Sequence, residues 1–437
     1  MKRNIDEKLI NWKQNKNRKV LLLRGARQVG KTYSVRKLGR RFTHFLEVNF
    51  EEDPEIISFF EHSLSPEEIC NKLYAYFDIP IIDGKTLLFL DEIQACPKAL
   101  KALRFFYEKK KELHVVAAGS LLEFSLGEIP SFGVGRISSL YMYPMNFLEF
   151  ITAIHGNGLH SLLVEHNASK CIDSALHNKL LNSLLTYLLI GGLPDVVESY
   201  RTEKDLHNCM KILDDLLITI KDDFAKYRNK VPIRILNDTL DSIARQTGNK
   251  FKYSEIAENE PYHIIKPALN LLNMAGLAHI IYHTSSNGLP LGSGTNHKKF
   301  KVILFDTGIY QRIMGTKLKD FIPKNLSDLI NRGNLVELFV GLELLSSQEL
   351  FIKNQLYYWH REARSSNAEV DYVIQKGERI VPVEVKSGKK GSMQSMFKFI
   401  DEKKSEYGIR LSQENFSRYK DIRSFPAYYA SLLFKDF

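Results

Sequence analysis

Residues Gly25-Ala26-Arg27-Gln28-Val29-Gly30-Lys31-Thr32 satisfy the pattern G-x-x-x-x-G-K-[ST] at every fixed position. Side chains of these types at this spacing handle phosphate. The two glycines let successive backbone N–H groups turn inward on phosphate oxygens, Lys31 brings an ammonium to the β and γ oxygens, and Thr32 offers a hydroxyl to Mg²⁺. With Tyr33 directly after it, the stretch reads as a site for ATP and Mg²⁺. About 60 residues later, Thr86-Leu87-Leu88-Phe89-Leu90-Asp91-Glu92 is an apolar strand that ends in two carboxylates. A buried parallel strand delivers its C-terminal end to the nucleotide crevice. There Asp91 is expected to hold Mg²⁺ through water, and Glu92 to polarise the attacking water.

Two further positions could serve the same site. The strand His114–Ala118 ends in Gly119-Ser120, where the Ser120 hydroxyl would sit beside the γ-phosphate, although Gly-Ser is also a plain turn. Arg136 could stabilise charge on the transferring phosphoryl group, in cis or from a neighbouring subunit; a surface salt bridge is the equal alternative.

A second set of chemistry-bearing residues lies near the C-terminus. Ala368–Ile374 and Ile380–Lys386 alternate around Lys376-Gly377-Glu378-Arg379, which predicts a hairpin with Asp371 opposite Glu384. Period two would then place Glu369, Asp371, Glu384 and Lys386 on one face. Facing carboxylates repel unless a cation sits between them. The D…E-x-K arrangement is that of restriction-endonuclease-like nucleases, in which two carboxylates hold a metal and a lysine orients the attacking water. Glu337, on a helix expected over Asn334 to Leu345, resembles the additional acid of that fold, whereas Val370 stands where a proline commonly precedes the aspartate. The alternative is a charged hairpin facing solvent.

The elements that must position these residues divide the chain into four parts. Residues 1–155 read as an α/β core with a P-loop NTPase parallel sheet, and 156–230 as a helical lid with glycine breaks at Gly156-Asn157-Gly158 and Gly191-Gly192. Residues 231–312 have the rhythm of a winged helix, with Asn287 to His297 as the wing, and 313–437 read as a restriction-endonuclease-like α/β domain. The expected recognition helix, Ile264 to Ala275, carries little positive charge beyond Lys266, and Lys298, Lys299 and Lys301 enrich the wing.

Bulk properties limit the partners. Lys and Arg total 61 against 51 for Asp and Glu, so the net charge is +10, and residues 376–423 supply +5 of it, which favours an anionic partner. The four cysteines, Cys70, Cys96, Cys171 and Cys209, form no C-x-x-C pair and read as reduced thiols in a cytoplasmic protein. The N-terminus lacks a signal-peptide core. The apolar stretch Leu180 to Leu193 is too short to span a bilayer and reads as a buried helix.

Arg24 to Thr32, Leu90-Asp91-Glu92-Ile93-Gln94, Gly119-Ser120-Leu121-Leu122, Tyr143-Pro144-Met145-Asn146-Phe147 and Gly191-Gly192-Leu193-Pro194 together resemble a known group. They are similar to the prokaryotic AAA-type ATPases that carry a C-terminal domain of unknown function and are related to the archaeal ATPase group. The resemblance covers nearly the whole chain. It implies that Gly25 to Thr32 bind the phosphates, that Asp91 and Glu92 serve Mg²⁺ and water, and that Ser120 is the sensor. The expectation is a cytoplasmic Mg²⁺-dependent ATPase, with a possible homo-oligomeric state, whose C-terminal half acts on DNA or RNA. The competing expectation is a nucleotide-switched signalling or scaffold protein whose C-terminal half binds protein and cuts nothing.

Overall fold

The apolar runs Val20–Leu23, Leu87–Leu90 and Val115–Ala118 leave no polar face for solvent, so their natural place is inside a sheet covered on both sides. A computed structural model describes residues 1–119, 135–257, 260–317, 333–362, 368–386 and 393–435. In it the runs lie in β1 (Val20–Arg24), β3 (Thr86–Asp91) and β4 (His114–Ala118), flanked by β2 (His44–Asn49) and β5 (Ile137–Tyr141). The order is β2-β3-β4-β1-β5 and every pairing is parallel. Leu21, Leu22 and Leu23 are fully buried, each contributing ~1.5–3 kcal/mol. Helices at Pro66–Phe77 and Pro97–Lys109 cover the sheet, packing Ile69, Leu73, Leu103 and Phe106 against Leu46, Leu88 and Leu90. Because all five strands run the same way, the C-terminal ends of β1 and β3 open on one edge, with β4 between them.

The chain forms two compact units. One comprises Met1–Tyr143 with Met274–Gly276 and Glu349–Lys353, and the other holds the remainder. The second unit begins with helices, among them Phe147–His155, Ser174–Ile190 and Leu206–Asp222. Ser174–Ile190 contains most of the apolar stretch read as a buried helix, and Leu180, Leu184, Leu188 and Ile190 are fully or almost fully enclosed. Among the described residues no helix is long and apolar enough to cross a membrane. The helices Ser174–Ile190 and Leu206–Asp222 both pack on Thr307–Ile313, where Arg312 Nε meets Asp214 Oδ1 at 2.7 Å.

The second unit also contains one mixed sheet. Its strands are β6 (Ala278–Thr284), β7 (Thr295–Leu304), β8 (Leu356–His360), β9 (Glu369–Lys376), β10 (Arg379–Val385), β11 (Gly408–Ser412), β12 (Ser417–Tyr419) and β13 (Ile422–Pro426). They lie in the order β12-β13-β11-β10-β9-β8-β6-β7, so the β6–β7 hairpin continues the sheet that contains the β9–β10 hairpin. The β9–β10 register runs from Arg379 opposite Lys376 to Val383 opposite Tyr372, which makes Gly377-Glu378 the turn as expected, and beyond it the Val385 N–H donates to the Asp371 carboxylate. Strict alternation fails on β9. Val370 and Val373, three apart, both join the apolar cluster of Trp359 and Phe399, and the pairing with β8 shifts there, the signature of a bulge. The bulge turns Asp371 and Tyr372 together toward the helix Gly333–Ser346, where the Tyr372 hydroxyl donates to the Glu337 carbonyl at 2.8 Å.

Candidate functional site

The loop after β1 runs into the helix Lys31–Gly39, whose N-terminus carries partial positive charge and free N–H groups. Gly25 is required by proximity: a Cβ there would lie 2.2 Å from the Met142 carbonyl oxygen. Gln28 (φ 63°) and Glu92 (φ 48°) hold left-handed backbone conformations without being glycine, a cost that persists only where the surroundings fix it. Behind the loop, the buried Arg3 guanidinium donates to the Val29 carbonyl at 2.9 Å and to the Tyr143 carbonyl at 2.8 Å.

Thr32 points at Asp91, the last residue of β3, and Lys31 folds back on its own loop. The Lys31 ammonium donates to the carbonyls of Gly25 (3.0 Å) and Ala26 (2.7 Å), partners that a phosphate can replace. Burial pulls this ammonium down to about 8, against the pull of Glu92 and Asp91. The Thr32 hydroxyl donates to Asp91 Oδ2 at 2.7 Å, while Asp91 Oδ1 accepts from the Glu92 N–H at 2.9 Å. Burial raises the Asp91 carboxyl, and its Thr32 hydrogen bond opposes the rise. Glu92 accepts from the Gln94 side chain. Tyr33 is exposed, and Arg27 lies 3.8 Å from Glu51.

The carboxylates of the second sheet surround a cation of the chain's own. Lys301, on β7, is 1% exposed, and its ammonium lies 2.9 Å from Glu337, 2.7 Å from Glu369 and 3.9 Å from Asp371. Burial alone would lower this ammonium, but the three acids overcome it and hold its pKa above the ordinary lysine value. Burial pushes the Glu337 carboxyl up to about 8, against Lys301. Asp371 is raised by burial and accepts from the Val385 N–H at 2.8 Å. Glu384, pushed by burial and Asp371 to about 7, accepts from Lys386, and its second oxygen is buried without a hydrogen-bond partner among the described residues.

Residues 17–151 match the family model described as an AAA domain. They form a P-loop NTPase domain similar to that family. Residues 181–320 and 332–429 match two families described only as domains of unknown function, DUF8612 and DUF4143. The Walker-type ATPase of Pyrococcus abyssi is 16% identical, with 72% of this chain and 95% of that one covered and a TM-score of 0.45. The ORC1 protein of Aeropyrum pernix, in complex with DNA, is 15% identical over 72% of this chain and 91% of that one, with a TM-score of 0.28. No curated protein matches the chain.

Within the P-loop domain, Arg136 corrects one expectation. It immediately precedes β5, whose first residue Ile137 pairs in parallel with Val20, the first residue of β1. Arg136 therefore sits at the end of the sheet opposite the phosphate loop. That is a strand length away, on the order of 15 Å, and its guanidinium pairs with Glu108. A reach to its own chain's phosphate is excluded by that register. Ser120 lies outside the described residues.

Lys301 corrects another expectation: it enriches no wing, because it is buried among acids, while Lys298 is exposed and Lys299 half-buried. Its role was readable in part, since a lysine between Phe300 and Val302 on an apolar strand demands an inward partner. Asp306 was missed altogether. Fully enclosed and pushed by burial to about 6, it accepts from the N–H groups of Gly192 (2.8 Å) and Ile309 (3.0 Å), tying the Gly191-Gly192 turn to the helix Thr307–Ile313.

Proposed function

We propose that the chain hydrolyses ATP in a Mg²⁺-dependent reaction and that the nucleotide state governs nucleic-acid binding by its C-terminal half. The observation that carries the ATPase reading is the Thr32–Asp91 hydrogen bond of 2.7 Å beside a buried Lys31 held by loop carbonyls. A hydroxyl and a carboxylate already in contact fit the hard oxygen ligands that Mg²⁺ takes. Thr32 and Asp91 would hold the ion, Lys31 would leave the Gly25 and Ala26 carbonyls for phosphate oxygens, and Glu92 would orient water. Bound Mg²⁺ neutralises charge developing on the phosphates. Lys31→Ala protein that folds normally should lose ATP turnover; turnover equal to that of the parent protein removes the reading.

Lys301 favours a second reading of the C-terminal half, in which it binds and does not cut. The Lys301 ammonium stands beside two of the three expected metal ligands, Glu337 and Asp371, and the third, Glu384, accepts from Lys386. Labelled DNA and RNA incubated with Mg²⁺ or Mn²⁺, with and without ATP, beside a Glu384→Ala, Lys386→Ala double variant, separate the two. Cleavage that disappears in the double variant supports a nuclease; salt-sensitive binding without cleavage supports a scaffold.

A further inference from the structure

His283 on β6 and His360 on β8 are 77 residues apart in sequence, but their strands are neighbours and their rings lie 4.4 Å apart, centroid to centroid. One nitrogen of each ring is already committed. His283 Nε2 is 3.2 Å from the His360 carbonyl, and His360 Nδ1 is 3.2 Å from the Arg361 carbonyl. A carbonyl only accepts, so these two nitrogens carry the protons, and His283 Nδ1 and His360 Nε2 are left as lone pairs. His283 is 2% exposed and its Nδ1 has no hydrogen-bond partner among the described residues. Leaving such a group buried and unsatisfied costs about 1–3 kcal/mol. Glu362 adds a carboxylate, and one ligand atom from each of the three residues lies within 4.8 Å of the others.

We propose that His283, His360 and Glu362 form a binding site for a divalent transition-metal ion of the zinc type. Two neutral imidazoles and one carboxylate are a ligand set such ions favour, and a carbonyl behind each imidazole is the usual outer partner that fixes the tautomer. Mg²⁺ prefers oxygen ligands and fits this set poorly. Ligands about 2.0–2.1 Å from tetrahedral zinc stand about 3.3 Å apart, so the exposed Glu362 side chain moves inward on binding. Lys299 competes for it, with Nζ 2.7 Å from Glu362 Oε1. His360 and Glu362 also line a cleft of about 660 Å³ with Lys250, Lys252 and Lys299, so the metal's remaining positions open to water or an anion.

The test uses full-length protein stripped with a chelator and dialysed. Titration with zinc sulfate, followed by calorimetry, should give a single site. Co²⁺ at that site should show visible bands perturbed by nitrogen ligation. His360→Gln and Glu362→Gln should each weaken zinc at least tenfold without changing the thermal midpoint of the metal-free protein, and Lys299→Ala should tighten it. Cys171 has an exposed thiol, so Cys171→Ser is the control. No zinc binding, unchanged affinity in His360→Gln, or binding lost in Cys171→Ser alone overturns the proposal.

Discussion

At the scale of single residues, the P-loop domain depends on a buried ammonium whose proton is easily lost. Lys31 is pulled down to about 8 by burial, so its positive charge is fully present below that pH and disappears as the pH rises through it. A bound triphosphate favours the charged form. ATP affinity should therefore be level below about pH 7 and fall by up to about tenfold per unit above about pH 8. Titration with a fluorescent ATP analogue across that range checks it; an affinity level to about pH 9.5 would remove Lys31 from the phosphates. The residues of this site were legible because they are local: a loop of eight consecutive positions and a strand end specify themselves through backbone geometry and charge. Arg3 was not legible, because nothing in its neighbourhood reveals that it will brace Val29 and Tyr143 from behind.

At the scale of elements, two junctions decide how the second unit holds together. One is the Gly191-Gly192 turn, where a Cβ on Gly192 would lie 2.1 Å from the Met145 carbonyl oxygen, and where Met145 donates its N–H to the Gly192 carbonyl at 2.7 Å. Gly192→Ala should cost more than about 1 kcal/mol and lower the thermal midpoint by several degrees, read by calorimetry. The other is Lys301, reaching from β7 to the helix Gly333–Ser346 and to β9. Lys301→Met leaves the acids without their cation, at a cost of about 3–5 kcal/mol at neutral pH.

The sign of its pH dependence follows from the acids. Glu337 is raised to about 8, so the stability of its protonated form is present at low pH and lost as the pH rises through about 8. Without Lys301 the Glu337 and Asp371 carboxyls rise further, and the stability of the variant should fall more steeply between about pH 5 and 8 than that of the parent. Mn²⁺ should raise the thermal midpoint of Lys301→Met by several degrees more than that of the parent. A variant indifferent to both pH and Mn²⁺ would mean that the acids do not share a cation.

At the scale of the whole molecule, nucleotide and nucleic acid should be linked if the proposed function holds. Affinity for labelled nucleic acid, measured with and without ATP in the Glu92→Gln variant, should differ by at least about fivefold, the lower end of ordinary coupling. Binding should also weaken steeply with salt. Equal affinities in the two nucleotide states would separate the ATPase from the C-terminal half.

What the sequence determined by itself was everything set by near neighbours along the chain. The phosphate loop, the apolar central strands, the paired acids after β3 and the β9–β10 register all follow from spacing, hydrophobic period and turn chemistry. Only the tertiary structure decided what strands far apart in sequence bring together. It joined the β6–β7 and β9–β10 hairpins in one sheet, put Lys301 among Glu337, Glu369 and Asp371, and set His283 beside His360. It also placed Arg136 at the wrong end of β5 to reach its own phosphate loop. The reason is that sheet order and strand direction are fixed by long-range packing of buried faces, and a side chain's partner follows from that order rather than from its place in the chain.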